Sequence, residues 1–290
     1  MTAWPRDVWL VTMLALSELR HRKSLLVVGI ITLGFLALYG WGAFEILGDL
    51  EDRPVGPNIG PEETARGAGF ILLGIGVFAT FSLASVLAVF TTMNTVRGEA
   101  EQGLLQPLMV RPVDRSAVVA GRVLAATVAG GVYCAIVIAA TSALTSAAGG
   151  APPGQLVQVV LGLTGAVAIV AAFGVFMSTF LGSAATGLAA TMLISVGFFA
   201  SLVRQIGEQT DSESVALWAG RVTDLLGFNA LYEGALGSLT NGVEGLAGIA
   251  LQLGPFGQQR DLSVGLTATS MVELAVLIAL ATWRLRRLDL

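Results

Sequence analysis

Charge is scarce in this chain. Of its 290 residues, 12% are Asp, Glu, Lys or Arg, and 54% are hydrophobic. Soluble domains carry about 25% charged residues, so the composition is that of an integral membrane protein. There is one lysine, Lys23. It does not stand in a G-x-x-x-x-G-K-[ST] setting, so the chain carries no P-loop of its own. The one histidine, His21, lies among Arg20, Arg22 and Lys23. That excludes a multi-histidine metal site and argues against a Ser-His-Asp constellation. The one cysteine, Cys134, lies inside an apolar run; it forms no internal disulfide and reads as a small core residue. Seven methionines are scattered and give no support to a copper pathway. No catalytic residue, no metal site and no nucleic-acid partner is expected.

What is present is a set of long apolar runs, each sufficient for a membrane-crossing helix of about 20 residues. A transmembrane barrel would show alternating segments of about 10 residues, and none is seen. The expected fold class is therefore all-α: a polytopic single domain with spans over residues 25–45, 69–93, 117–147, 156–180, 185–203 and 264–283. The paired prolines of "GGAPPG" turn the chain after the third span. "LGSA", Leu181 to Ala184, is the tight link between the fourth and the fifth.

Orientation follows the bias of arginine and lysine toward the cytoplasm. Arg20, Arg22 and Lys23 precede the first span. Arg97, Arg111, Arg115 and Arg122 fall between the second and third, and Arg284, Arg286 and Arg287 follow the sixth. An even number of spans puts all of these on one side, with both termini cytoplasmic. The opposite loops are net acidic: Glu45, Asp49, Glu51, Asp52, Glu62 and Glu63 stand against Arg53 and Arg66. The leading segment does not read as a cleavable signal, because its positive cluster follows the first apolar run instead of preceding it.

Two segments are neither spans nor simple loops. Residues 1–24 contain an apolar stretch, Trp4 to Arg20, interspersed with Asp7, Thr12, Ser17 and Glu18; this suits a helix lying along the cytoplasmic membrane surface. Residues 204–263 contain "SVALWAGRVTDLLGFNALYEGALGSL", with Val215, Trp218, Val222, Leu225 and Leu226 at helical spacing and a break at Gly227. A second apolar stretch, "GVEGLAGIALQLGPFG", follows. Neither is long and clean enough to span. Both are expected as short helices dipping into the outer leaflet and covered by the bundle, since irregular backbone at that depth cannot face lipid.

The connector between the second and third spans, residues 94–116, carries "VRGEAEQGLLQPLMVRPVDR". A span-to-span link needs only a few residues; this one is long and mixes acids, leucines, arginines and prolines. Glu99 and Glu101 sit near the start of a short helix, where carboxylates complement the helix dipole. Leu104 and Leu105 give it an apolar side. Pro112 ends it, and Asp114 can cap the helix that follows. The pattern predicts a short cytoplasmic helix presenting acids and leucines to a partner.

This stretch resembles the permease subunit of ABC-2 type transporters. That family commonly shows two acids, a glycine, a leucine pair, a basic-Pro element, another basic residue and a Gly-basic entry into the third span. Here these are Glu99 and Glu101, Gly103, Leu104 and Leu105, Arg111 and Pro112, Arg115, and Gly121 with Arg122. "LALSELRHRKSLL", with Glu18, Leu19 and Arg22, resembles the family's entry to the first span. The C-terminal "WRLRRLDL" resembles its basic tail. The departure is "LLQP" with Gln102, where many members continue "TLELLL"; Pro107 shortens or kinks the helix.

The resemblance implies a permease half in the plasma membrane. It would couple through Glu99, Glu101, Gly103, Leu104 and Leu105 to two copies of a separate ABC ATPase, which hold the ATP and Mg. It would pair with a second permease half, identical or related, and its direction would be export. Arg20, Arg22, Lys23, Arg111, Arg115 and Arg122 would anchor the cytoplasmic face against membrane lipid. Glu273 is the one acid well inside an expected span. A charge there is costly and marks a functional site by default, so it is a candidate for the pathway. Two other readings stand beside this one. A secondary transporter working alone would show internal repeats with broken helices, and no repeat is evident. A non-transporting anchor or assembly factor would use the same cytoplasmic helix to dock its partner.

Overall fold

The computed structural model describes residues 4–21, 23–52, 61–93, 114–150, 155–240, 260 and 263–287. Among these residues every regular element is a helix: α1 Trp4–His21, α2 Lys23–Asp52, α3 Pro61–Thr92, α4 Arg115–Ala147, α5 Leu156–Ser178, α6 Ser183–Gln209, α7 Glu213–Leu225, α8 Gly227–Thr240 and α9 Val264–Arg287. Six are long and apolar enough to cross a membrane: Leu25–Asp49 within α2, Gly67–Thr92 within α3, and all of α4, α5, α6 and α9. Arg22 and residues 94–113, the latter holding Glu99, Glu101, Gly103, Leu104, Leu105 and Arg111, lie outside the described residues. So does the apolar stretch from Gly242 to Gly257.

In lipid the hydrophobic effect does not drive helices together, so they associate through close packing and internal hydrogen bonds. The sequences of α4 and α5 show how. Small residues on α4 let α5 approach: a Cβ on Gly130 would lie 2.5 Å from Val167, and one on Gly131 would lie 2.9 Å from Thr164. α5 is the central post of the bundle, with α3, α4, α6, α8 and α9 packed around it. Of its membrane-length window 67% is buried, against 22% for α2 and 17% for α9. The peripheral helices turn large apolar side chains outward, such as Ile30, Leu33, Leu38 and Trp41 on α2. Several hydroxyl groups inside the spans bond the preceding helical turn, as Thr141 Oγ donates to Val137 O at 3.0 Å and Thr164 Oγ to Val160 O at 2.7 Å. Two pairs fasten α2 to α4: Thr32 with Tyr133 and Tyr39 with Thr145, each at 2.7 Å between oxygens.

The ends of the helices follow local chemistry. α4 stops where Gly149 takes φ 93°, a left-handed conformation that glycine adopts without a Cβ clash. α6 turns into α7 through Asp211, at φ 52°, a residue type tolerated there. Ser212 N–H then bonds Gly207 O at 2.9 Å.

α7 and α8 form a helical hairpin beside the far end of α6, opposite the end that carries the starts of α1 and α4. α7 buries only a narrow stripe, Ala219 and Thr223. α8 is buried on every side from Gly227 to Leu239. Its seat is a groove on α5, where Gly162 meets Ala235 and Gly165 meets Leu231. Its aromatic residues complete a cluster with α3 and α6. Phe81 stacks on Phe228 at 6.1 Å and lies 5.1 Å from Tyr232, and Phe198 meets Tyr232 edge-on at 5.3 Å.

Candidate functional site

Two places gather the polar chemistry of the described residues. The first is the base of the bundle, where the 94–113 connector enters α4. Asp114 is the N-cap of α4, and its carboxylate accepts from Ser116 N–H at 3.0 Å. That bond and Arg286, whose guanidinium approaches Asp114 to 3.7 Å, hold its carboxyl below the usual carboxylate range. Arg115 donates to Leu285 O on α9 at 2.7 Å. Arg122 pairs with Glu18 of α1 at 3.0 Å. Trp4 donates from its indole to Ser116 Oγ at 2.9 Å, and Thr12 donates to Gly121 O at 3.2 Å. α1 lies so close to α4 that a Cβ on Gly121 would come within 2.7 Å of Val11. Arg284 and Arg287 cover Phe180 and Trp283 at 4.9 Å and 4.1 Å. The first turns of α4 are thus braced to α1 on one side and to the end of α9 on the other.

Of the basic residues expected as face anchors, Arg115 and Arg122 sit in this brace and Arg20 is exposed on α1. Lys23 begins α2.

The family described as "ABC-2 family transporter protein" matches residues 20–290, nearly the whole chain. The chain belongs to that family. It is a membrane permease of the ABC transporter class, a multi-pass component that is not itself the catalytic one. No curated protein matches the chain. An ABC-2 permease works with an ABC ATPase in general.

The second place is the hairpin. Glu273 on α9 accepts from Gly227 N–H at 2.7 Å, and Ser270 Oγ donates to Gly227 O at 3.3 Å. Gly227 is the first residue of α8, so the Glu273 carboxylate caps an otherwise orphan helix N-terminus. A Cβ at position 227 would push the Glu273 carboxyl from where it stands; glycine leaves room for this approach. From Val264 to Glu273 is about 14 Å of helix, which sets the depth of the hairpin tip within the bundle.

Higher on α8, Glu233 is 1% exposed and Asn229 1% exposed. Ser201 on α6 donates to Glu233 Oε1. Asn229 donates from Nδ2 to both Ser201 Oγ, at 2.8 Å, and Glu233 Oε1, at 3.1 Å. Arg260 closes over the hairpin, its N–H bonding Glu233 O at 3.3 Å and its guanidinium meeting Asp224 of α7 at 2.5 Å. Sequence reasoning found Glu273 because it interrupts a span. It missed Glu233, which stands in a segment too short to span. The available signal was a lone acid in "FNALYEGALGSL", where the surrounding residues are small or apolar.

Among the described residues no group of His, Cys, Asp and Glu could hold a metal ion.

Proposed function

We propose that this chain is the permease half of an ABC exporter in the plasma membrane, driven by a separate ATPase that seats on Glu99, Glu101, Gly103, Leu104 and Leu105. Two ATPase subunits bind ATP and Mg and close on each other. Their movement reaches this chain through the 94–113 connector. Two permease halves, identical or related, enclose the pathway between them. Both termini and the connector face the cytoplasm, and α1 lies along the inner surface of the membrane. Its exposed Trp9, Leu10, Met13 and Leu14 suit the apolar side of the headgroup zone. Arg20, Arg22, Lys23 and Arg111 hold that surface against lipid, and Arg115 and Arg122 lock it to the protein. Glu273 serves the pathway by fixing the tip of the α7–α8 hairpin, which dips from the outer side.

The observation that carries the reading is the brace at the entry to α4. A connector tied into a freely moving helix would dissipate a push. Here the first residues after the connector are bonded to α1 through Trp4 and Glu18 and to α9 through Leu285 and Arg286. A displacement delivered at Asp114 moves three helices together.

Cross-linking tests the docking surface. The chain's one cysteine, Cys134, is buried, so a Leu104→Cys variant adds a single thiol to an otherwise quiet background. A thiol cross-linker applied to membranes that contain the transporter's ATPase is expected to join Leu104→Cys to a P-loop subunit. An adduct with no ATPase would overturn the proposed surface.

A further inference from the structure

Glu233 is a carboxyl group whose neighbouring cations, Arg204 and Arg260, pair with other acids. It is 1% exposed. Oε1 accepts from Ser201 and Asn229, and Oε2 has no hydrogen-bond partner. Beside it Tyr232, fully buried, has an unpartnered hydroxyl, and Asn229 an unpartnered Oδ1. Among the described residues no ion pair includes Glu233. The charged groups around it are already committed. On α6 Arg204 pairs with Glu208 at 3.1 Å. Asp224 on α7 pairs with Arg260, and Arg221 covers Trp218 at 5.0 Å. On α9 Glu273 caps Gly227. α5 has no charged residue, and α3 has none between Gly67 and Thr92. A buried carboxylate with one oxygen unbonded and no ion-pair partner of its own is costlier than the neutral acid, and such a group takes a proton instead.

We propose that Glu233 is a proton-binding site, with the proton on Oε2, and that its occupancy holds α8 seated in the bundle. The O–H bond at Oε2 exists while α8 is docked between α3, α5 and α6. When the hairpin lifts and water reaches the carboxyl, that bond breaks and the proton passes to water. A proton is thus taken up each time α8 seats and released each time it lifts, so the medium on the hairpin side sets how readily the hairpin moves.

The sign follows from linkage. Between the exposed glutamate's value of about 4.3 and the pH at which the docked carboxyl ionises, the docked state holds one proton more than the lifted state. Raising the pH therefore favours the lifted state, about tenfold per pH unit, until the docked carboxyl itself ionises. Docking is strongest in acid and weakens as the pH rises.

The test is backbone hydrogen exchange of the full chain in lipid nanodiscs, across a pH series and corrected for the intrinsic pH dependence of exchange. Protection of the α8 amides in the wild type is expected to fall with rising pH, while protection of α5 stays level. Glu233→Gln keeps the shape and cannot ionise, so its α8 protection is expected to be high and independent of pH. Glu273→Gln is expected to keep the wild-type slope. If Glu233→Gln does not fold, Glu233→Met, apolar and of similar volume, takes its place. A flat wild-type profile overturns the proposal, and so does a slope that survives replacement of Glu233.

Discussion

The seating of α8 on α5 can be probed at a single hydrogen atom. A Cβ added to Gly162 would lie 2.9 Å from Ala235 Cβ, 3.2 Å from Leu231 O and 3.3 Å from Ala235 Cα. Carbon atoms rest at about 3.5–4.0 Å, so relief needs a shift of about 0.6 Å or more. Two of the three obstacles are backbone, and no rotamer change removes them. Gly162→Ala must therefore move α8 bodily, at the overpacking cost of about 1–3 kcal/mol. Against this, alanine gains about 1 kcal/mol of helix propensity over glycine. The net is a loss of up to about 2 kcal/mol. Gly162→Val, with two further methyls and β-branching, loses more. Gly29 and Gly34 on α2 provide the control, because a Cβ at either meets nothing within 4 Å. Their alanine variants keep the propensity gain without a clash. Thermal unfolding of the purified chain in one detergent is the assay. The expected order of midpoints is Gly29→Ala and Gly34→Ala at or above wild type, then Gly162→Ala, then Gly162→Val. A Gly162→Val midpoint equal to that of Gly29→Ala would refute the close seating of α8, and with it the buried hairpin.

Other expectations concern the polar contacts. Glu273→Ala leaves the Gly227 N–H without its acceptor, at a cost of about 1–3 kcal/mol, whereas Glu273→Gln retains an oxygen for that bond. The alanine variant should expose the first turn of α8 to hydrogen exchange while the glutamine variant stays near wild type, and equal behaviour would show that the cap is idle. Asp114→Ala removes the cap of α4 and should cost about 0.5–2 kcal/mol. The Asp114 carboxyl is held below its ordinary range, so its contribution is present at neutral pH and is lost as the pH falls through that lowered value. Asp114→Asn should remove the acid sensitivity of amide protection at Ser116 and Ala117. Arg122→Gln releases α1 from α4 at Glu18; a partly exposed pair contributes about 0.2–1 kcal/mol. The expected result is little change in midpoint but faster proteolysis within α1, and unchanged cleavage would count against the brace.

The sequence made the architecture legible where composition alone dictates it. Six apolar runs, separated by charged or proline-bearing links except at the uncharged "LGSA" between the fourth and fifth, read as six helices, and the positions of Asp114 and of the break at Gly227 could be read from side-chain chemistry. The hairpin's depth could not. "GFNALYEGALGSL" is 13 residues of mixed polarity, and its complete burial depends on a groove that Gly162 and Gly165 leave on a helix some 65 residues earlier in the chain. Glu273 stood out as a charge within a span, but its partner is a backbone N–H on a distant segment, which no side-chain pattern reveals. Arg115 and Arg122 read from sequence as groups for the membrane face. Their bonds to Leu285 and Glu18 depend on α1 and α9 meeting the start of α4, a tertiary fact. The family match supports the permease reading as a whole, while the roles of Glu99, Glu101 and Leu104 rest on the resemblance of the connector and on the rigidity of the helix it enters.

The central claim is that a separate ATPase drives this chain through residues 99–105. The most direct measurement is ATP hydrolysis by what co-purifies with the tagged chain from its native membranes. The account expects a P-loop ATPase to be recovered with hydrolytic activity, and both to be lost when Glu99, Glu101 and Leu104 are replaced together while the chain still folds. Recovery of the chain alone and inactive, under conditions that keep other ABC complexes intact, would contradict it. Equal ATPase recovery and activity with the triple variant would place the docking surface elsewhere.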